Sequence, residues 1–519
     1  TDAAMPIFSG WSGTGSGDDT KHVCEVTFEQ DGDYTFTLSF QDMAGNEAVY
    51  DRVDSFTIDR TPPELTVKWD NQDSRNGNYY AADRTAVIDI LEHNFEASLM
   101  DVLVTVDGEP VSIVSGWSRN GDHNLATVLF HTDGEYRFRV EGMDLAGNLL
   151  DGYEQESFIM DQTPPDLEIF GIVHESANSG PVMPGIRCFD DNYDPNSMVV
   201  ALSGYRSGQA EGDNIRKTVE NGVEIVWNDF AYTQETDDMY LMEASVSDLA
   251  GNKSEAAVRF SVNRFGSVYT FDNWTNALAG DQGEYYTDRV QDLVVTETNV
   301  DTLEHREAVL AWNGTLSVLT EGEDYQVEES GTETSWKQYT YTFPKDNFKE
   351  EGTYTLTIYS EDRASNVSDN NSKGKKIEFA VDRTKPSILI SGVEDGGRYK
   401  MNSRPVTLDV QDNLRLKEVE VQIDGNRTVY TEKEIEEAEG RLTLTVGSAG
   451  RWQEMRVTAR DAAGNEESAG PVRFLVTSNI LYQLFWNPSL LCGALAVPVI
   501  LSTGARCLYK KKSGKTEEN

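Results

Sequence analysis

Apolar and polar side chains alternate along short stretches of this chain, and the same alternation returns several times. In its clearest form, Phe36, Leu38 and Phe40 occupy every second position between polar neighbours. A period of two is typical of a β-strand that is buried on one face. Long stretches with the apolar spacing of an amphipathic helix are absent from the repeated part of the chain. The fold class that we predict is therefore all-β.

Each of these alternating stretches ends in one short polar motif, Asp-x-Ala-Gly-Asn or a close variant. The motif predicts a tight loop, because Gly and Asn accommodate positive φ. In the first four copies a Tyr stands eight residues before the motif Asp, whereas the fifth copy has Gln453 there. The five motif acids are Asp42, Asp144, Asp248, Asp362 and Asp461. Their spacing of about 100 residues is that of one β-sandwich domain, not of a short solenoid repeat.

Extended junctions follow the last strand of three repeats and divide the chain into domains. The first is Asp59-Arg60-Thr61-Pro62-Pro63, in which Pro ends the strand and restricts the linker. We predict a partial sandwich at 1–61, sandwiches of about seven strands each at 62–163, 164–265, 266–384 and 385–478, a helix at 480–508 and a tail at 509–519. The first domain is expected to lack its opening strands, because Gly10-Trp11-Ser12 matches a segment well inside the second domain.

The third junction differs from the others. Asn263-Arg264-Phe265-Gly266 contains neither an acid nor a Pro, and Gly266 frees the backbone. This composition predicts a hinge with an exposed Arg264. The alternative is that Phe265 packs into a neighbouring core and fixes the junction.

The C-terminal segment has a different character. Residues 480–505 carry no charge, and roughly 20 apolar residues suffice to span a bilayer. Arg506 and a run of three Lys follow, which predicts a cytoplasmic C-terminus and extracellular repeats. We therefore expect a single-pass protein of the cell membrane, anchored by a transmembrane helix. A buried core helix or hairpin is the alternative interpretation of this segment.

Composition narrows the function. The net charge of −45 argues against binding to nucleic acid and against lying on an anionic membrane surface. The four Cys residues do not pair within any repeat, and the six His residues are scattered. Nucleophile motifs, phosphate loops and Cys/His clusters are absent, so we expect no enzyme here, and any catalytic domain would lie upstream.

Acidic loops make calcium the one candidate cofactor. In a sandwich the B–C and F–G loops share one end, which places Glu92 near Asp144 and Glu297 near Asp362. The junction acids are expected to meet the first strand and the turns of the following domain. Since carboxylate oxygens suit Ca²⁺, the candidate metal ligands are Asp42, Asp144, Asp248, Asp362, Asp461, Glu92, Glu297, Asp59, Asp161 and Asp382. The alternative is that each motif Asp only caps its own loop, with the motif Asn in the left-handed region.

Taken together, the motif and the Asp-x-Thr-Pro-Pro junctions resemble the bacterial immunoglobulin-like domains of large cell-surface proteins and adhesins. The resemblance covers residues 1 to about 478, with Ser365 in place of Gly in the fourth copy. It implies that the Tyr is the tyrosine corner of strand F and that calcium binds between domains, as in some relatives.

Two surface functions fit this resemblance. The first is a non-enzymatic stalk that projects and positions upstream domains. The second is an adhesin or glycan-binding module, whose partner is a host or neighbouring-cell surface protein or a glycan. The second function requires exposed loops or aromatic side chains, for which the candidates are Trp117, Trp227, Trp312 and Trp336.

Overall fold

A computed structural model describes residues 5–17, 20–49, 54–209, 214–279, 285–332, 334–479 and 482. Nearly all of their regular structure is β-strand, which confirms the all-β prediction. Two compact units are present: residues 1–176, 181–231 and 240–260 form the first, and residues 177–180, 232–239 and 261–519 form the second. No helix among the described residues has the length and apolarity needed to cross a membrane. The predicted membrane helix and tail lie outside the described residues, apart from Tyr482.

The first repeat, in the first unit, contributes short antiparallel pairs: β1 with β4, β2 with β3, β5 with β8 and β6 with β7. Their bounds are Ile7–Phe8 (β1), Ser12–Thr14 (β2), Lys21–Val23 (β3), Val26–Thr27 (β4), Gly32–Phe36 (β5), Ser39–Gln41 (β6), Glu47–Val49 (β7) and Asp54–Ile58 (β8).

The second repeat is a complete sandwich in the first unit. Its strands are Glu64–Trp69 (β9), Tyr79–Tyr80 (β10), Arg84–Leu91 (β11), Met100–Val106 (β12), Glu109–Pro110 (β13), Ser118–Asn120 (β14), His123–Phe130 (β15), Gly134–Gly142 (β16) and Tyr153–Met160 (β17). One sheet has the order β14-β15-β11-β9 and the other β10-β17-β16-β12-β13.

The third repeat has the same two-sheet plan. Its strands are Asp166–Phe170 (β18), Ser176–Asn178 (β19), Gly185–Phe189 (β20), Val199–Gly204 (β21), Gly208–Gln209 (β22), Asn214–Val219 (β23), Gly222–Trp227 (β24), Asp238–Ser247 (β25) and Lys253–Val262 (β26). The sheets have the orders β18-β20-β24-β23 and β19-β26-β25-β21-β22.

The fourth repeat lies in the second unit. Its elements are Val268–Phe271 (β27), Asn273–Leu278 (α1), Tyr285–Thr287 (β28), Leu293–Asn299 (β29), Leu303–Trp312 (β30), Thr315–Leu319 (β31), Gln326–Ser330 (β32), Lys337–Phe343 (β33), Gly352–Asp362 (β34), Val367–Asp369 (β35) and Ile377–Val381 (β36). The sheets have the orders β27-β29-β33-β32 and β28-β36-β34-β30-β31, and β35 pairs with β34.

The fifth repeat, also in the second unit, has helix α2 between strands β41 and β42. Its elements are Ser387–Ser391 (β37), Arg398–Tyr399 (β38), Ser403–Gln411 (β39), Leu416–Ile423 (β40), Asn426–Thr431 (β41), Glu432–Glu437 (α2), Arg441–Gly447 (β42), Gln453–Asp461 (β43) and Glu466–Val476 (β44). The sheets have the orders β37-β39-β42 and β38-β44-β43-β40-β41.

The predicted count of seven strands per repeat is too low for the described parts of the last four repeats. One reason is a short strand that pairs in parallel with the last strand, as Tyr79–Tyr80 does with Ile159–Met160. The aromatic pair Tyr79-Tyr80 gave no period-two signal, because the strand that it forms has only two residues.

From the second repeat onward, the strand before the motif buries every second side chain in the core, as its period predicts. In the first repeat, Phe36 is half-buried and Phe40 is 58% exposed. On β16, Tyr136, Phe138 and Val140 are buried between exposed or half-buried neighbours. The hydroxyl of Tyr136 donates to the carbonyl oxygen of Thr132 at 3.1 Å, four residues upstream. Tyr34 and Tyr354 make the same bond to Gln30 and Glu350, at 2.8 Å and 2.9 Å. These bonds form the tyrosine corner.

Candidate metal centre at the domain junctions

The motif Asp organises its own loop. Asp144 Oδ1 accepts hydrogen bonds from the backbone N–H groups of Ala146 at 2.8 Å and Asn148 at 2.9 Å. These bonds are those of the capping alternative. The left-handed residue is the Gly, however, with φ of 88° at Gly147, and Ser365 with φ of 62° in the fourth copy. The expectation that the motif Asn takes this conformation is therefore wrong.

The motif Asn connects one domain to the domain before it. Asn148 Nδ2 donates to Asp144 Oδ2 at 2.7 Å and also to the carbonyl oxygen of Asp59 at 3.3 Å. Asn252 makes the same bond to the carbonyl of Asp161 at 2.8 Å, and Asn465 to that of Asp382 at 3.0 Å. The motif loop therefore binds the backbone of the residue that follows the last strand of the preceding repeat.

Among the residues that the structure describes, three junctions gather three carboxylates each. Within each cluster, one candidate ligand oxygen from every acid lies within 4.8 Å of the other two. Each cluster joins a junction acid, a motif acid and the acid that directly follows strand B, which is β11, β20 or β39 in the three repeats. The clusters are Asp59, Glu92 and Asp144; Asp161, Asp190 and Asp248; and Asp382, Asp412 and Asp461.

The junction acids have different partners from those predicted. Asp59 does lie at the opposite end of its strand from its own motif loop, but it meets the B–C and F–G loops of the next domain rather than its first strand. Its Oδ2 accepts a hydrogen bond from Asn94 Nδ2 at 2.7 Å, and Asp161 Oδ2 accepts one from Asn192 at 2.9 Å. Junction acids and motif acids, which the sequence analysis placed at opposite ends of a domain, therefore meet in one cluster at the first, second and fourth junctions.

Burial makes Glu92, Asp190 and Asp382 costly to ionise. Burial raises the pKa of Glu92, and the nearby carboxylates of Asp59 and Asp144 add to the effect. Burial is also the first cause that raises the pKa of Asp190 to about 6. The pKa of Asp382 rises to about 6 through burial and then the charge of Asp412. Like charges at short range disfavour ionisation, so a cation among them would stabilise the ionised form.

The fourth junction shows the best fit to a cation. Asp382 is 0% exposed, and its Oδ2 is a buried atom without a hydrogen-bond partner. In the same cluster, Oδ1 of the half-buried Asp412 also lacks a partner. Buried polar atoms are normally hydrogen-bonded, so these two oxygens point to a missing partner. Ca²⁺ accepts six to eight oxygen ligands, often from Asp and Glu, and the donor set consists of carboxylate oxygens.

A second acid holds each linker and is missing from the candidate list. It stands three residues before the corner Tyr. Asp31 Oδ2 accepts from the Arg60 N–H at 3.1 Å and from the Thr61 hydroxyl at 2.7 Å. Glu351 accepts from the Arg383 N–H at 2.7 Å and from the Thr384 hydroxyl at 2.8 Å. Asp133 makes the equivalent bonds to Gln162 and Thr163. We call Asp31, Asp133, Asp237 and Glu351 the linker-clamp acids.

The third junction, in the second unit, is buried and lacks the predicted exposed hinge. Arg264 is 7% exposed and Ser267 is 1% exposed. Asp237 Oδ2 accepts from the N–H groups of Arg264 at 3.0 Å and Phe265 at 2.8 Å. Phe265 packs against Tyr232, with ring centroids 5.2 Å apart. Because Tyr232 is 70% exposed, Phe265 packs here against a surface side chain and not into a neighbouring core, as the alternative had it.

Three candidate ligands lie outside the clusters, namely Asp42, Asp362 and Glu297. Asp362 is 1% exposed at the third junction, where its Oδ2 accepts from Asn263 at 2.8 Å and Asn299 at 3.0 Å. Asp42 is exposed and caps the loop of the first repeat, with Oδ1 accepting from the Asn46 N–H at 2.8 Å. Glu297 is 0% exposed inside the fourth repeat, where it accepts from the hydroxyls of Tyr269 at 3.1 Å and Tyr341 at 2.7 Å. The prediction that Glu297 joins Asp362 at the loops is wrong, because Glu297 lies within the strand and Asn299 ends it.

Sequence reasoning missed Asp190 and Asp412 as members of the clusters. Both directly follow strand B of their repeat, as Glu92 does. The signal was present, since an acid or amide ends or directly follows this strand in each of the last four repeats. The linker-clamp acids also had a signal, namely an acid three residues before the corner Tyr.

The four candidate Trp residues differ in their exposure. Trp227 is buried, and Trp117 is half-buried against Phe95, with ring centroids 4.9 Å apart. Trp336 is half-buried and donates to Asp238 at 2.8 Å. Trp312 is 39% exposed.

Comparison with known proteins supports the Ig-like assignment. The family model of a bacterial Ig-like domain matches residues 197–264, within the third repeat. No curated protein matches the chain.

Among solved structures, the chain resembles Dpr2 Ig1-Ig2 in complex with DIP-Theta Ig1-Ig3, with 10% identity, a TM-score of 0.31, and coverage of 61% of this chain and 98% of that chain. The ICAM-5 D1-D4 ectodomain fragment matches with 11% identity and a TM-score of 0.26, over 80% of this chain and 100% of that chain. Cadherin domains 3–6 of protocadherin gamma B2 match with 11% identity and a TM-score of 0.25, over 78% and 99%.

Proposed function

We propose that this chain is a non-enzymatic stalk of tandem Ig-like domains on a bacterial cell surface. It is anchored by residues 480–508, and it projects and positions other domains. In this proposal, calcium bound between domains stiffens three of its four junctions. The observation that carries the calcium assignment is the fourth junction, where three carboxylates meet and the buried Asp382 Oδ2 has no partner.

The contacts at the junctions support a structural role. The motif loop, the strand-B acid and the linker clamp all act on the few residues that join two domains. A passive linker needs none of these bonds, whereas a stalk gains from each of them, because fewer linker conformations remain accessible. Charge explains the choice of a cation: buried carboxylates in one cluster repel one another unless they are paired or bind a metal.

Limited trypsin digestion of the full chain in mild detergent tests the proposal. Arg60 and Arg383 lie in the linkers of the first and fourth junctions and are exposed. With calcium, both sites should resist cleavage, since the linker is held at the cluster. After chelation with EDTA, both should be cut, and adding calcium back should restore protection more effectively than adding magnesium. Magnesium prefers a smaller octahedral site with retained water.

Asp382→Asn provides a matched control. It should remove calcium protection at Arg383 and leave Arg60 protected, because the two clusters are separate. If calcium changes cleavage at neither site, the calcium part of the proposal is wrong. If it protects both sites equally in the variant, the cluster at the fourth junction is not the binding site.

A further inference from the structure

The third junction repeats the design of the others with acids and amides exchanged. Asn263 stands where the other junctions have an acid, and its carbonyl oxygen accepts from the motif Asn366 at 2.8 Å. Asn299 stands where the other repeats have an acid directly after strand B, since its Oδ1 accepts from the N–H of Asp301 at 2.8 Å. Glu92 and Asp190 accept from the residue two positions on in the same way, at 2.5 Å and 2.7 Å.

Asp301 completes the exchange. It stands where the first and second junctions have an amide, Asn94 and Asn192. There the amide donates to the junction acid, at 2.7 Å and 2.9 Å. At the third junction the direction is reversed, because Asn263 Nδ2 donates to Asp301 Oδ2 at 3.0 Å.

One nitrogen atom lies at the centre of this group. Asn263 Nδ2 is 2.9 Å from Asn299 Oδ1, 3.0 Å from Asp301 Oδ2 and 2.8 Å from Asp362 Oδ2. An amide carries two hydrogens on its nitrogen, so the three oxygens share two donors. All four side chains are 4% exposed or less. We call Asn263, Asn299, Asp301 and Asp362 the amide quartet.

The carboxylates of the quartet have further donors. The Ser261 hydroxyl donates to Asp301 at 2.7 Å, and Asn299 Nδ2 donates to Asp362 Oδ2 at 3.0 Å. The fourth junction is the opposite case, since Asp382 Oδ2 has no donor. The unpartnered buried oxygen near the third junction, Asp237 Oδ1, belongs to the linker clamp and not to the quartet.

We propose that the third junction is a cation-independent form of the site, in which the amide nitrogen of Asn263 holds the oxygens that a calcium ion gathers at the other three junctions. The inference rests on the proposed calcium sites. At the third junction, amide and hydroxyl groups donate hydrogen bonds to the two carboxylates. A cluster of three carboxylates needs a cation instead. The chain thus combines three junctions that respond to calcium with one that does not.

Asn263→Asp tests this assignment, because it restores the acid of the other junctions. The full-length protein is purified in mild detergent, and calcium binding is measured by titration calorimetry. The variant should bind one more calcium ion per chain than the wild type. In EDTA its thermal unfolding should begin at a lower temperature than that of the wild type, and calcium should restore most of the difference. Asn263→Ala, the matched control, removes the donor without adding a charge and should be destabilised equally with and without calcium.

The opposite exchange at the first junction tests the same idea without relying on Asn263. Asp59→Asn, Glu92→Asn and Asn94→Asp together should remove one bound calcium ion while keeping Arg60 resistant to trypsin in EDTA. If Asn263→Asp folds poorly, this variant decides the matter: cleavage at Arg60 in EDTA as fast as in the wild type would overturn the inference.

The results separate the two proposals. A wild type that binds no calcium contradicts the proposed function. If Asp382→Asn binds one calcium ion fewer than the wild type, but Asn263→Asp binds no more than the wild type, only the inference about the amide quartet is contradicted. Protection of Arg264 from trypsin should not differ between calcium and EDTA in the wild type, and calcium-dependent cleavage there would also overturn the inference.

Discussion

Removing the titratable group at Asp382 should abolish the part of the pH dependence of stability that this carboxyl gives to the second unit. The pKa of Asp382 lies at about 6 in the folded protein, raised by burial and by Asp412 from an ordinary value of 3.8. A carboxyl with a raised folded pKa binds its proton more tightly when folded. The resulting stability is fully present below the unfolded pKa and is lost as pH rises through the folded pKa.

The size of the effect follows from the shift. About two pKa units correspond to about 3 kcal/mol, of which roughly 1.4 kcal/mol should be regained on lowering the pH from about 7.5 to about 5. This gain in stability is the one expected in EDTA, without bound calcium. With calcium at about 100 times its dissociation constant, binding adds about 2.7 kcal/mol at the higher pH. The calcium effect should fade at the lower pH, because protons compete for the same oxygens.

The assay is urea unfolding of the wild type and Asp382→Asn, in EDTA and in calcium, at both pH values. Other groups titrate in both proteins, so the difference between the two pH dependences isolates Asp382. Glu436→Gln, which removes an exposed carboxylate of the fifth repeat, should behave as the wild type does. An equal pH dependence in the wild type and Asp382→Asn would refute the argument that burial makes this carboxyl costly to ionise without a cation.

Two further predictions concern the linker and the membrane. Glu351→Gln weakens the acceptor for the Arg383 N–H and the Thr384 hydroxyl, so trypsin should cut at Arg383 several times faster than in the wild type even with calcium. The neighbouring exposed Glu350→Gln should leave the rate unchanged, and equal rates in both variants would contradict the clamp. For orientation, protease added to intact cells should remove the repeats and spare a tag placed after residue 519, whereas loss of the tag would reverse the proposed topology.

Local patterns in the sequence were enough to predict the strands and the loops. The alternation around Tyr136 indicated a half-buried strand, and Asp144-Leu145-Ala146-Gly147-Asn148 indicated a tight loop. Both properties depend on neighbouring residues, since strand period and turn preference act over a few positions. The sequence also determined which Asp and Glu side chains are present to bind a cation.

The tertiary structure decided which of these acids meet. Asp59 belongs to one repeat and Asp144 to the next, so their contact depends on how two sandwiches are joined and not on any local pattern. It likewise distinguished Glu297 from Asn299, which are both buried on one face of the same strand. Glu297 accepts from Tyr hydroxyls within the fourth repeat, whereas Asn299 at the end of the strand donates to Asp362 at the junction. The sequence showed that Asn263 stands at the third junction in place of an acid. Only the tertiary structure showed that Asn299, Asp301 and Asp362 converge on its amide nitrogen.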